Sequence, residues 1–338
     1  MRAYEKWLGE GVELSVLRLL GLFDRPAEPA SISALRAAPA IPGLTEPLQN
    51  LKEHKWQQSL AKLRRIKLLG TASANDPNTL DAHPLVREHF KQQLKRDRPD
   101  AWREANNRLY EHLKRTTKEF PDTVEEMSPL YAAVSHGCAA GRHQEAFDEV
   151  YLRRIQRGGE RFNLTNLGAY SADLAVLSSF FEISWEQPVA GITDKDKAFV
   201  LNAAGLRLRA LGRMQEAAQP MQTPLEAYIA GENWKFAAIV AINLSELYLA
   251  IGDLSEALAF AQQSVELADR GDDEFWSIHT RARLADAWYQ SGRTLEAAAT
   301  FRKAEDMQQH RQPAYPLLYS LSGFQYWDLL LGRDRRRK

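Results

Sequence analysis

One cysteine, Cys138, stands in a chain of 338 residues, so no disulfide can close within it, and a fold without cross-links suits a reducing compartment. Charge bias is missing as well. The 44 Lys and Arg balance 44 Asp and Glu, so no global field selects nucleic acid or a membrane surface. No stretch is expected to approach the roughly 20 apolar residues of a membrane span, and the opening Met1-Arg-Ala-Tyr-Glu-Lys-Trp7 has no signal-peptide core. A soluble cytoplasmic protein is expected. The sequence contains no G-x-x-x-x-G-K-[ST], no H-E-x-x-H, no pair of C-x-x-C and no G-x-S-x-G. Without a phosphate-cradling loop the chain is not expected to hydrolyse nucleotide, and neither a catalytic residue, a cofactor of its own nor a metal site is expected. His83 and His89 lie six apart and point to different faces of a helix, a poor metal pair, and His136 and Cys138 are too close in sequence to share a face. Cys138 has no patterned base beside it and reads as a small buried residue.

What is present is a phrase that recurs. Gly212, Gly252 and Gly292 stand forty apart, each followed by Glu at +4 and Ala at +5: Glu216-Ala217, Glu256-Ala257 and Glu296-Ala297. Gly141 carries the same tail in Glu145-Ala146, and Gly332 falls forty after Gly292 without it. Self-similarity at a fixed period marks a repeat architecture. Two antiparallel helices per repeat fit it. The glycine ends the first helix in a left-handed conformation, and the alanine opens the second where two backbones come close. Gly205, Ser245 and Ala285, seven before each glycine, leave room for that approach, and Leu244, Tyr248, Leu284, Trp288 and Phe301 fill the space beside it.

This pattern resembles the tetratricopeptide repeat in the longer forty-residue form of signalling ATPases and kinesin light chains, well over 198–332 and more loosely over 128–155. The resemblance implies an α-α superhelix whose first helices line a protein- or peptide-binding groove. Asn202, Arg209, Asn243, Glu246, Arg283, Asp286 and Tyr289 fall on that face. An amide and a guanidinium on one ladder can clamp an extended peptide backbone or a carboxylate.

Residues 1–98 lie outside the repeat. Helices are expected over Val12–Leu22, Ile32–Ala38 with Ser31 as cap, and Trp56–Leu69, where Trp56, Leu60, Leu63, Ile66 and Leu69 share a face. Short strands are expected at Leu68–Ala72 and Thr79–Ala82 around a turn at Ser73–Asn78, then a helix from His83-Pro84 through Leu94. Three helices, a wing and a closing helix make a winged helix. That order, with Gly21-Leu-Phe-Asp-Arg-Pro26 and Leu80-Asp-Ala-His-Pro-Leu-Val-Arg-Glu-His-Phe90, resembles the winged-helix segment of bacterial STAND-type signalling ATPases. There it sits between an NB-ARC or NACHT nucleotide-binding module and a repeat sensor. The resemblance places His83 at the histidine of the family's Met-His-Asp motif, which contacts bound ADP, although Ala82 and Pro84 replace its neighbours. His83 would then bind nucleotide only with an ATPase module supplied elsewhere, and by itself it reads as a buried capping histidine.

The fold class expected is therefore mainly all-α: a winged-helix domain with a short β-wing (1–98), a helical linker with a first repeat-like hairpin (99–193), and a tetratricopeptide-like array (194–338) that stops within a repeat. In the linker, helices are expected over Met127–Ala140, His143–Ile155 and Phe162–Glu182, and Arg153–Arg161 reads as a basic, solvated connector. The last helix, Pro316–Leu331, would end at Gly332 with one side bare, Phe324 and Trp327 included, so self-association or fraying is expected there. The function implied is that of a sensor and interaction module of a signalling ATPase, with a protein or peptide ligand in the groove and an upstream nucleotide-binding module. The alternative is a DNA-binding regulator whose repeats sense a peptide. Lys62, Arg64, Arg65 and Lys67 cluster on one helix, and 51–98 hold eleven Lys and Arg against five Asp and Glu. The wing, however, offers Asn75, Asp76 and Asn78 instead of basic residues, so DNA is the less favoured partner.

Overall fold

The structure, a computed structural model, describes residues 2–71 and 78–335. It is a mainly α-helical repeat fold: among the described residues, seventeen α-helices accompany one two-stranded sheet. The chain divides into two compact units, Met1–Ser179 and Phe180–Lys338.

The first unit opens with α1 (Arg2–Leu8), α2 (Val12–Leu20), α3 (Pro29–Arg36), α4 (Glu53–Arg65) and α5 (Pro84–Asp97). One apolar core joins them to α6 (Pro99–Thr116), with Leu17, Leu35, Leu63, Phe90 and Leu109 fully buried. Ser31 is a buried residue inside α3, and Glu28 takes the cap position because Pro29 already has the φ of a first helical residue. The fourth helix stops at Arg65, short of the expected Leu69. Lys67 turns left-handed at φ 62°, and the amides of Leu68 and Leu69 fold back onto the Leu63 carbonyl at 3.1 and 3.3 Å. That closure satisfies the helix end and drops both leucines into the core as a Schellman-type turn. Neither expected strand is assigned among the described residues, where Gly70 N–H donates to Asp81 O at 2.7 Å. Leu80 pairs instead with Ala27 in an isolated antiparallel bridge. The turn proposed at Ser73–Asn78 lies, but for Asn78, outside the described residues.

Beyond α6 come α7 (Val124–Ala139), capped by Thr123, and the short α8 (His143–Glu145), which continues as a π-helix over Ala146–Gln156. Close approach is again set by small residues: a Cβ on Gly137 would stand 2.9 Å from both Ala146 Cβ and Tyr110 Cδ2. The single helix expected over Phe162–Glu182 is broken into α9 (Phe162–Thr165), α10 (Tyr170–Leu177) and a strand, because Gly168 adopts φ 61° and Ala169 N–H turns back to Asn163 O.

His136 of α7 is buried, its Nδ1 2.8 Å from Asn106 Oδ1. Asn106 in turn donates to Trp102 O, so the amide oxygen faces the ring and the ring nitrogen carries the proton. Burial pushes the His136 pKa down to about 4. The folded value lies below the unfolded one, so the unfolded chain takes up the proton first as pH falls. Stability is complete above pH ~6.5 and declines toward pH ~4, by at most about 3 kcal/mol in all. The expected result is a urea midpoint for the first unit that falls between pH 7 and 5 in the natural chain and falls less in His136→Asn. Equal pH slopes for the two proteins would count against the buried neutral histidine.

The second unit begins with β1 (Phe181–Ile183) and β2 (Gln187–Pro188), an antiparallel pair. Three helical hairpins follow: α11 (Asp194–Ala210) with α12 (Met214–Ala230), α13 (Trp234–Ile251) with α14 (Leu254–Arg270), and α15 (Glu274–Gln290) with α16 (Thr294–Arg311). The forty-residue phrase has the physical meaning expected of it. Gly212, Gly252 and Gly292 take φ of 77°, 90° and 80° at the turns between paired helices, and Ala217, Ala257 and Ala297 are fully buried. Gly205 packs so close to α12 that an added Cβ would lie 2.2 Å from Met221 Cγ and 3.1 Å from Ala217 O.

Two expectations change here. Among the described residues, α13 has the length and mean hydropathy (1.4) to pass for a membrane span, contrary to the expectation that no stretch comes near. Within the fold 44% of that stretch is buried, packed on α11, α12, α14 and α15. The last helix, α17 (Ser320–Arg335), starts later than expected and runs through Gly332 instead of turning there. At that point the Tyr289 hydroxyl presses on the Gly332 backbone, leaving 2.5 Å to an ideal Cβ.

Candidate functional site

The first helices of successive repeats, α11, α13, α15 and α17, are neighbours in space, and a ladder of polar side chains crosses all four. Each lies on the predicted face because residues three or four apart on a helix share a side. The ladder starts at Arg209 on α11. Its Nη1 donates to Glu246 Oε2 at 2.9 Å and to the Asn243 carbonyl at 3.3 Å on α13. The other oxygen of the same carboxylate, Glu246 Oε1, stands 3.2 Å from Arg283 Nε on α15. Arg283 Nη1 continues to Gln325 Oε1 on α17 at 2.7 Å, and Gln325 Nε2 returns to Asp286 Oδ2 on α15 at 2.8 Å. Gln290 Nε2 donates to the other Asp286 oxygen at 3.4 Å. Burial raises the Asp286 pKa, and the Gln290 hydrogen bond and the Arg283 charge oppose that rise without cancelling it.

Five of the seven predicted groove residues thus meet in or against one network: Arg209, Asn243 (through its carbonyl), Glu246, Arg283 and Asp286. Its two guanidinium groups are both engaged by an internal carboxylate. Three of the seven keep open hydrogen-bonding capacity among the described residues. Asn202 Oδ1 is buried with no partner, the Asn243 amide makes no side-chain bond, and the Tyr289 hydroxyl rests on the Gly332 backbone. Sequence reasoning missed Gln325, which closes the ladder. The only signal available was its place one repeat after Ala285, where a small residue had been the rule.

His83 caps α5: its Nδ1 accepts from the Leu85 amide at 3.2 Å, so it is a cap as expected. Its ring is exposed instead of buried. The basic cluster of α4 is partly tied down, with Lys62 Nζ 3.0 Å from Glu13 Oε1, and Arg64 Nε is buried without a partner. A cavity of about 340 Å³ lies among α1, α2 and α5. On its wall Glu10 accepts from Arg18 at 2.6 and 2.8 Å and from Arg98 at 3.2 Å, and the Arg18 hydrogen bonds hold the Glu10 carboxyl below its ordinary value. Cys138 is buried, and burial raises its thiol pKa. No group of three or more His, Cys, Asp or Glu among the described residues is placed to hold a metal.

Comparison with protein-family models and with curated proteins finds no match. Among solved structures, the chain is similar to the crystal structure of a Signal Transduction ATPase with Numerous Domains (STAND) protein with a tetratricopeptide repeat sensor, PH0952 from Pyrococcus horikoshii. The similarity covers 89% of this chain and 51% of that one, at 14% identity and a TM-score of 0.34. The chain therefore spans about half the length of the structure it matches.

Proposed function

We propose that the second unit is a peptide-recognition array and that its ladder face receives an extended protein segment. The observation that carries this reading is the state of the ladder's hydrogen bonds. Arg209 and Arg283 already share Glu246, whereas Asn202 Oδ1 has no partner at all. A buried acceptor without a donor costs about 1–3 kcal/mol, so the Asn202 amide gains by turning outward to meet the N–H and C=O groups that a bound main chain supplies along its length. The ligand is therefore read by its backbone amides, and a free carboxylate would have to displace Glu246. The wider role follows from the sequence resemblance: 1–98 as a winged helix, 99–193 as a helical linker and 194–338 as the sensor array of a cytoplasmic STAND-type signalling ATPase. Its nucleotide-binding module would be supplied elsewhere, with His83 turned toward it.

Selection of binders from a random peptide display library against the whole chain tests this reading. Binders are expected, and those with an amidated C-terminus should bind within about twofold of their free-acid forms. A loss of tenfold or more on amidation, about 1.4 kcal/mol, would favour a carboxylate clamp and contradict backbone reading.

A further inference from the structure

We propose that two copies of this chain pair through the exposed face of α17. One side of this helix is consumed within the repeat unit: Leu329 and Ser322 are buried and Tyr326 stacks on Phe301 with ring centroids 4.8 Å apart. At 3.6 residues per turn, Leu321, Phe324, Trp327 and Leu331 gather on the far side, with exposures of 50%, 76%, 60% and 53%. Tyr315 and Leu317, on the segment leading into the helix, are 70% and 62% exposed as well. With about 150–250 Å² for an aromatic side chain, these six leave roughly 700 Å² of mostly apolar surface in water. The largest patch on an ordinary monomer is ~300–600 Å², whereas a specific interface takes ~800 Å² from each partner.

The stripe also matches itself. From Leu321 the steps are three, three and four residues, to Phe324, Trp327 and Leu331, so its spacing is nearly the same from either end. In an antiparallel pair Leu321 meets Leu331 of the second copy and Phe324 meets its Trp327, large against large throughout. An interface made twice from one patch is what a two-fold axis requires. Asp328 borders the stripe on the side of Gln325 and supplies a polar rim.

An interface of this size supports association in the micromolar range or tighter. At roughly 100 μM the whole chain should therefore run at twice its monomer mass in size-exclusion chromatography with light scattering. Phe324→Glu/Trp327→Glu should run as a monomer with unchanged far-ultraviolet circular dichroism. Register is read separately by oxidation. Leu321→Cys/Leu331→Cys should form a disulfide-linked dimer, whereas Leu321→Cys alone should not, because its two copies lie roughly 15 Å apart along the paired helices. Cys138 is buried and stays out of the reaction. A wild-type monomer at that concentration would overturn the proposal and leave the stripe to a different protein. Equal cross-linking by the single variant, or a dimer that survives both glutamates, would overturn it as well.

Discussion

Replacing Arg154 by methionine is expected to destabilise the first unit by about 3–5 kcal/mol. Arg154 is 4% exposed, and its guanidinium donates to four main-chain carbonyls at the end of α6 and just beyond. These are Lys114 O at 2.8 Å, Thr117 O and Lys118 O at 2.9 Å, and Glu119 O at 3.2 Å. Helix C-termini leave their last carbonyls without intrahelical partners and carry partial negative charge. One buried cation answers both needs and fastens the π-helix to α6. Methionine keeps much of the volume but strands these acceptors, each worth about 1–3 kcal/mol if left dry. Lysine keeps the charge but not the planar fork, so Arg154→Lys should recover only part of the loss. Urea denaturation, with hydrogen exchange to localise the change to α6 and the π-helix, is the check. A loss under ~1 kcal/mol would show that water satisfies those carbonyls instead.

Gly21→Ala is the second large effect, expected at about 2–4 kcal/mol. Gly21 closes α2 with φ −64°, an angle any residue accepts, so conformational freedom is not the issue. The constraint is contact: an added Cβ would lie 2.5 Å from Lys91 N, 2.8 Å from Phe90 C and 3.1 Å from Lys91 Cα. Backbone atoms of α5 cannot swing aside as a side chain would, so α2 and α5 must separate and the core around Leu17 and Phe90 must loosen. Alanine gains roughly 0.4–1 kcal/mol by restricting the unfolded chain, and the clash has to exceed that. Gly159→Ala is the matched control, since nothing lies within 4 Å of its Cβ position and its φ is not positive. Thermal unfolding should show a clear drop for Gly21→Ala and a change near zero for Gly159→Ala. Equal behaviour of the two would contradict the close approach.

The repeat was legible because it rests on local necessities that recur. A left-handed turn demands Gly212, Gly252 and Gly292, and close helix pairing demands Ala217, Ala257 and Ala297. Arg209, Asn243, Glu246, Arg283 and Asp286 were legible for the same reason, as fixed offsets from those glycines, whereas Gln325, which closes the ladder, was not. Features that depend on remote partners were not. Arg154 sits in a run of arginines that reads as solvated, and only the fold brings the carbonyls of Lys114 to Glu119 around it. The end of α4 is set by Leu68 and Leu69 returning to one carbonyl, which an apolar stripe through Leu69 cannot reveal. Gly332 kept the period but not the turn, because it packs beneath Tyr289 within a continuing helix. The apolar run of α13 is decided by how many helices surround it, and composition carries no record of that.

In the proposed function, the ladder face of α11, α13 and α15 reads a peptide main chain through its open amides. Calorimetric titration of one display-selected peptide into the natural chain, Asn202→Ala/Asn243→Ala and the outer-face control Gln262→Ala tests it most directly. The double variant should lose at least tenfold in affinity, about 1.4 kcal/mol or more, and Gln262→Ala should stay within twofold. Unchanged affinity in Asn202→Ala/Asn243→Ala, with the helical content intact, would contradict it.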